Sequence, residues 1–260
     1  MRIAKPAGFR FRLIPFIATV LLVGLGVALG QWQDRRAAEK IALQHAISTR
    51  AAGAALVIGA APLDADAVAL RPVTVRGEFL RDWPLFLDNR PQNGKAGFYL
   101  LMPLRIAGSG MHVLVARGWL PRYTAEHSRL PAFDTPSGEV TITGLAKAGM
   151  GKVMQLGEPA PVRPNAILQN VTPQQFAQAS KLAVQPFFIE QGGPPASEQL
   201  VRDWPAPALG VEKHQGYAFQ WYALAVMALL FFVMTGFRRG TNQTRPDARD
   251  NDDAGAPGSN

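Results

Sequence analysis

Two stretches of this chain lose their polar residues for long enough to matter. Lys213 to Arg239 reads KHQGYAFQWYALAVMALLFFVMTGFRR, and from Tyr217 to Phe237 it runs 21 residues without a formal charge. Leu13 to Gly30, LIPFIATVLLVGLGVALG, is an uncharged apolar run of 18 residues. About 20 mostly apolar residues carry a helix across a bilayer core, so both stretches predict membrane spans, the first barely long enough. The first competes with a cleaved leader, because Ala28 and Gly30 form a small-x-small site before Gln31. Gly26 and Gly30 form a G-x-x-x-G pair, a signal for close helix packing. Its natural partner is the alanine face of the second span. On that second helix His214, Tyr217, Ala218 and Trp221 share a face that continues through Ala225 and Ala228. A histidine at the lip of a groove floored by alanine and walled by Tyr and Trp could hold a flat apolar ligand. The plainer reading is that the alanines admit a neighbouring helix while Tyr and Trp anchor depth.

Between the spans the pattern changes twice. Gln31 to Arg50 lacks Gly and Pro and is rich in helix formers, which predicts that the first span leaves the membrane as a helix, followed by a small-residue linker from Ala51 to Pro62. From Arg71 the period approaches two. RPVTVRGEFL, PLFLDNR, AGFYLLMPLRI, MHVLVARGWLP, GEVTITGLA and PFFIE predict strands, separated by turn-rich pieces such as NRPQNGKAG and FDTPSG. One helix is predicted at TPQQFAQAS, with Thr172 as cap and Gln175 three residues on. Gly192 to Trp204 reads as a linker. The expected architecture is two transmembrane α-helices packed as a hairpin pair and flanking a β-rich, α+β, mainly antiparallel extracytoplasmic domain. Its segments are 1–12 before the first span, 13–30, 31–62 as helix and linker, 63–203 as the β-rich domain, 204–213 as linker, 214–237 as second span and 238–260 as a disordered tail.

Charge orients this layout. Residues 1–12 carry Arg2, Lys5, Arg10 and Arg12 with no acid, and Arg238 and Arg239 close the second span. Basic residues stay on the cytoplasmic side. Both termini are therefore expected in the cytoplasm, and residues 31 to about 213 outside, in the periplasm of a bacterium or the intermembrane space of a mitochondrion. The formal net charge of +8 is thus concentrated beside the membrane, with no basic run interleaved with aromatics, which argues against a nucleic-acid partner.

The 260 residues include no cysteine, which excludes disulfides, zinc-thiolate sites and covalent c-type haem attachment. Four histidines remain: His45, His112, His127 and His214. No G-x-S-x-G, H-E-x-x-H or P-loop is present, so no enzymatic activity is expected. Asp64 and Asp66 read as solvated linker residues, and His112 as structural. Arg90 and Arg117 read as residues that pair with acids such as Asp88 or bond to backbone in turns.

The pieces LGQWQDRRAAEK, FLDNRPQNGKAGFYLLMPL, VLVARGWLPR, VTITGLA and HQGYAFQWYALAVMALLFF together resemble the surfeit locus family of cytochrome c oxidase assembly factors, in the family's order, from about residue 12 to 240. The resemblance implies a membrane-anchored assembly factor for the haem-copper oxidase, binding haem a non-covalently and promoting its insertion into the catalytic subunit, with the enzymes of haem a synthesis as further partners. It also leaves open an interaction scaffold that stabilises an assembly intermediate without carrying haem. His214 matches the family's candidate axial ligand to the haem iron, and Tyr217, Gln220 and Trp221 match the rest of that motif. Lys213, Arg35 and Arg36 are the cations that would meet the propionates. Arg35, Asn89, Arg90, Gly97, Arg117, Gly118 and Trp119 match further motifs of the family.

Overall fold

A computed structural model describes residues 9, 11–123, 126, 129–155, 157–194, 199–205 and 210–241, without the side chains of 238–241. The chain divides into two compact units, one formed by residues 1–43 with 209–260, the other by residues 44–208. The expected disordered tail beyond 241, and His127, lie outside the described residues.

The first unit holds two long helices. Helix α1 (Leu13–Ala51) continues into the second unit, uninterrupted as the run of helix formers after Gly30 requires, and α4 (Val211–Thr241) belongs to the first unit throughout. Both are long and apolar enough to cross a membrane. They run antiparallel, since Phe9 packs on Phe232 and Phe237 while Gln33 meets His214. Burial recurs in steps of four and seven along α1 and of seven along α4. Gly26, Gly30 and Ala37 are buried on α1, and Val211, Ala218 and Ala225 on α4. That spacing is the seam of a left-handed helix pair. A side chain added at Gly26 would come within 3.0 Å of both Ala225 Cβ and the Trp221 carbonyl oxygen, so glycine sets the distance between the helices. Gly30 departs from the expected alanine partner. The ring of Tyr222 fills its place, and the Tyr222 hydroxyl donates to Asp34 Oδ2 at 2.8 Å.

The second unit is built on a closed ring of five strands. These are β2 (Pro72–Phe79), β4 (Gly97–Ile106), β5 (Met111–Pro121), β6 (Val140–Lys147) and β8 (Ala183–Gln191), hydrogen-bonded in the order β2–β6–β8–β5–β4–β2. Only β5–β8 is parallel within the ring. Closure removes the open edges that make sheets sticky. Outside it, β1 (Leu56–Val57) adds to β2, while β3 (Leu85–Leu87) adds to the first half of β4 and carries β7 (Ile167–Leu168). Strand β1 thus forms within the stretch that reads as a linker, where its small-residue surroundings give no strand period.

Two cores flank the same wall of strands. Val73, Val75, Phe98, Met102, Val113, Val115, Phe187 and Ile189 fill the ring, while Leu87, Leu101, Leu114, Ala116 and Phe188 face outward beneath Phe176 of α3 (Pro173–Ser180). Strands β4 and β5 are therefore buried on both faces, which explains their nearly continuous apolar sequence. Helix α3 begins with the predicted reciprocal cap, Thr172 Oγ1 accepting from Gln175 N–H at 3.1 Å and Gln175 Oε1 from Thr172 N–H at 2.9 Å. Asp64 caps the short α2 (Ala65–Val68) through the Asp66 N–H at 3.1 Å, so it is a structural residue of the linker.

Buried arginines pin loops to this barrel. Arg117 is wholly buried over the ring of Phe79 and donates to Thr135 Oγ1 and the Asp134 carbonyl, each at 2.8 Å. Arg90 donates to the carbonyls of Gly151 and Gln169, and burial holds its pKa below the usual arginine value. Arg122 bonds both carboxylate oxygens of Asp88 at 3.0 Å. The stretch 199–205, within the predicted linker, is also bound down. Val201 exchanges two backbone bonds with Trp119, Arg202 Nε donates to the Arg117 carbonyl, and Trp204 Nε1 to that of Gln191.

Two outcomes test this packing. A methyl group at Gly97 would collide with the Trp119 ring and the Leu120 carbonyl, whereas Gly110 opens on free space. Gly97→Ala should cost about 1–3 kcal/mol, while Gly110→Ala should be near neutral, read from thermal unfolding of the full chain. His112 donates from Nδ1 to the Ala183 carbonyl at 3.1 Å, and burial depresses its pKa. The unfolded chain therefore takes up a proton near pH ~6.5 that the folded barrel resists, so this contribution is present at higher pH and is lost as the solution becomes more acidic. His112→Gln should flatten part of the fall in melting temperature below that pH; an unchanged slope would assign the acid sensitivity elsewhere.

Candidate functional site

The seam of the helix pair ends in polar residues. Gly210, with φ +64°, turns the chain into α4, and Glu212 lies in the first turn, where a negative charge suits the exposed N–H groups. Two residues further, His214 stands half-buried on the same side as Val211 and Ala218. Its Nδ1 lies 2.7 Å from Gln33 Oε1 on α1. An amide oxygen can only accept, so Nδ1 is the donor in this bond, and in the neutral ring Nε2 is the nitrogen with the lone pair.

About two helical turns along the seam from this bond, the pair opens an apolar groove of about 360 Å³. Trp221, Leu224, Met227, Ala228 and Phe231 line it from α4, with Leu22, Leu25 and Gly26 from α1. Trp221 is half-buried, but Tyr217 is 54% exposed and stands on the flank of α4 rather than in the seam. At 100° per residue, Lys213, Tyr217, Leu224 and Phe231 follow one flank of α4. Leu22, Leu25, Trp32 and Arg36 follow one flank of α1. Since Leu22, Leu25, Leu224 and Phe231 line the groove, the cations Lys213 and Arg36 lie on the same side of the helix pair, two to three turns further along it.

Arg35 is not brought to this flank. Gly26, Gly30 and Gln33 face α4, and Arg35, 200° round from Gln33, points to the opposite side and is exposed. Arg36 is also exposed and bonds Glu39 at 2.9 Å, a pair that solvent makes weak. The other flank of the seam carries the Tyr222–Asp34 bond.

Sequence reasoning missed Gln33 and Asp34. The signal for Gln33 was present, because it follows Gly26 and Gly30 by seven and three residues and so continues the packing face. Gln220 of the same motif is exposed on α4, and the other matched residues belong to the barrel. Trp119 Nε1 donates to the Arg90 carbonyl at 2.7 Å, Gly97 lies against Trp119, and Asn89 adopts φ +58° beside them. Among the histidines, His45 is exposed on α1 and His112 is internal to the sheet. Among the described residues, no group of three or more His, Cys, Asp and Glu converges as a metal site would require.

Residues 20–226 match the SURF1 family. The chain is 24% identical to Surfeit locus protein 1 of Rattus norvegicus over 226 residues, covering 78% of this chain and 70% of the rat protein. It is 24% identical to a SURF1-like protein of Monosiga brevicollis over 237 residues, 83% of this chain and 85% of that one. Against Surfeit locus protein 1 of Xenopus tropicalis it is 25% identical over 135 residues, 46% of this chain and 44% of the frog protein, so that match spans less than half of the relative. The family match extends through the β barrel and both helix segments that form the seam, and the chain belongs to the SURF1 family of cytochrome oxidase assembly factors.

Proposed function

We propose that this chain is a two-span protein of the inner cell membrane, with both termini in the cytoplasm and the barrel outside, that holds haem a non-covalently and promotes its insertion into the catalytic subunit of cytochrome c oxidase. The carrying observation is the half-buried His214, its Nδ1 2.7 Å from Gln33 Oε1, at the end of a helix pair that opens into an apolar groove from Trp221 onward. The residues fit the group. A neutral imidazole can supply one axial ligand to an iron whose other ligands come with its macrocycle. The groove lining is apolar apart from the Trp221 indole N–H, as a hydrocarbon-rich ring and tail require, and Lys213 and Arg36 offer charge-assisted bonds to propionates. Arg35 has no part in this arrangement.

Haem would supply the iron and the redox chemistry used later in the oxidase. This chain supplies one nitrogen ligand, an apolar surface and two cations, and a single protein ligand suits a holder that must release its cargo. Trp221, Gly26 and Ala228 give the groove an apolar wall.

Replacing His214 with Ala tests the proposal. The full-length variant should still insert and fold, yet bind at least tenfold less haem a when both are purified from cells that make it. The absorption spectrum reads the haem content. Unchanged haem content together with unchanged oxidase assembly would favour the scaffold reading, in which the helices and barrel hold an assembly intermediate and haem is incidental.

A further inference from the structure

Resting on the haem-holding reading, we propose that Gln33 is a positioning residue that fixes the His214 imidazole in the tautomer and orientation needed for Nε2 to bind iron. The 2.7 Å contact joins residues 181 positions apart in sequence, across the two helices. It stands at the end of a seam whose next buried positions are Gly30 and Ala218. Both partners are partly buried, which shields the bond more than an open surface would. A histidine that binds a metal through one nitrogen commonly donates its other N–H to an acceptor, which sets ring angle and basicity. Gln33 provides that acceptor before any ligand arrives.

The arrangement also links the ligand to the packing. Gln33 can reach His214 only because Gly26 and Ala225 bring α1 and α4 close together further down the seam. Loss of the seam would free the ring, and either nitrogen could then carry the proton. No other described side chain is bonded to the His214 ring, whereas Asp34, the neighbouring acceptor on α1, is engaged by Tyr222 on the opposite flank.

The test uses the full chain in lipid nanodiscs. In the haem-free protein, nitrogen-15 spectra of labelled His214 should show a protonated Nδ1 and a bare Nε2. Gln33→Leu should give a mixture of tautomers, while Gln33→Glu, which keeps an acceptor, should restore the single form. Reconstituted with haem a, Gln33→Leu should bind about 10–100-fold more weakly, as loss of such partners generally does. Gln33→Glu should raise the iron–histidine stretching frequency in the reduced state, because a charged acceptor makes the imidazole a stronger donor. If His214→Ala abolishes binding but Gln33→Leu keeps both the single tautomer and the wild-type affinity, the positioning role is overturned and the haem reading stands. If His214→Ala binds haem normally, the haem reading falls and this inference falls with it.

Discussion

The close approach of two apolar helices at Gly26 and Ala225 is the constraint from which the candidate site follows. In lipid there is little hydrophobic gain in bringing such helices together, so association rests on van der Waals contact and on bonds between polar side chains. A glycine opposite an alanine permits that contact, and any larger residue at position 26 would push against the Trp221 carbonyl. Everything toward the polar end inherits this spacing. Tyr222 fills the place left at Gly30, its hydroxyl reaches Asp34, and Gln33 comes within bonding distance of His214. On one flank the two helices part just enough to leave an apolar groove between Trp221 and Phe231 of α4 and Leu22 to Gly26 of α1.

The barrel solves a different problem with different means. Five strands close on themselves, and the long connections between them are fastened by arginine side chains that bond to backbone carbonyls rather than to acids alone. A buried guanidinium with several donors can satisfy many such acceptors at once, at the cost of desolvation that depresses the pKa of Arg90. Glu190 shows the opposite shift from the same cause, burial raising its pKa while Lys147 opposes the rise. These charged groups hold the domain together, and the family-matched Arg90, Arg117 and Trp119 belong with them.

Length and polarity alone revealed the two helices and most strands, because membrane spans and sheet faces impose patterns that a single sequence displays. The capping box at Thr172 was equally plain. Ring closure was not, since β5 and β8 pair in parallel although more than 60 residues separate them, and nothing local encodes that choice. Strand β1 escaped notice for want of an alternating pattern. Arg35 and Arg36 looked equivalent because they are neighbours in sequence; on a helix, neighbours point 100° apart, and only Arg36 stays near the groove. Gln33 shows the converse. Its place in the seven-residue repeat was readable, but an amide beside two basic residues draws little attention until the opposite helix puts a histidine against it.

The seam can be tested directly, since the chain has no cysteine to confuse the result. Cysteines placed at Gly26 and Ala225 in the membrane-embedded full chain should form a disulfide within one molecule on mild oxidation, because the two positions lie at nearly the separation that such a bond needs. Gly24, which faces open space, should give no such product with position 225. Rapid intramolecular cross-linking of 26 to 225 alone is the predicted result. Linked dimers, or preferential cross-linking of 24 to 225, would contradict the helix pair on which the site is built.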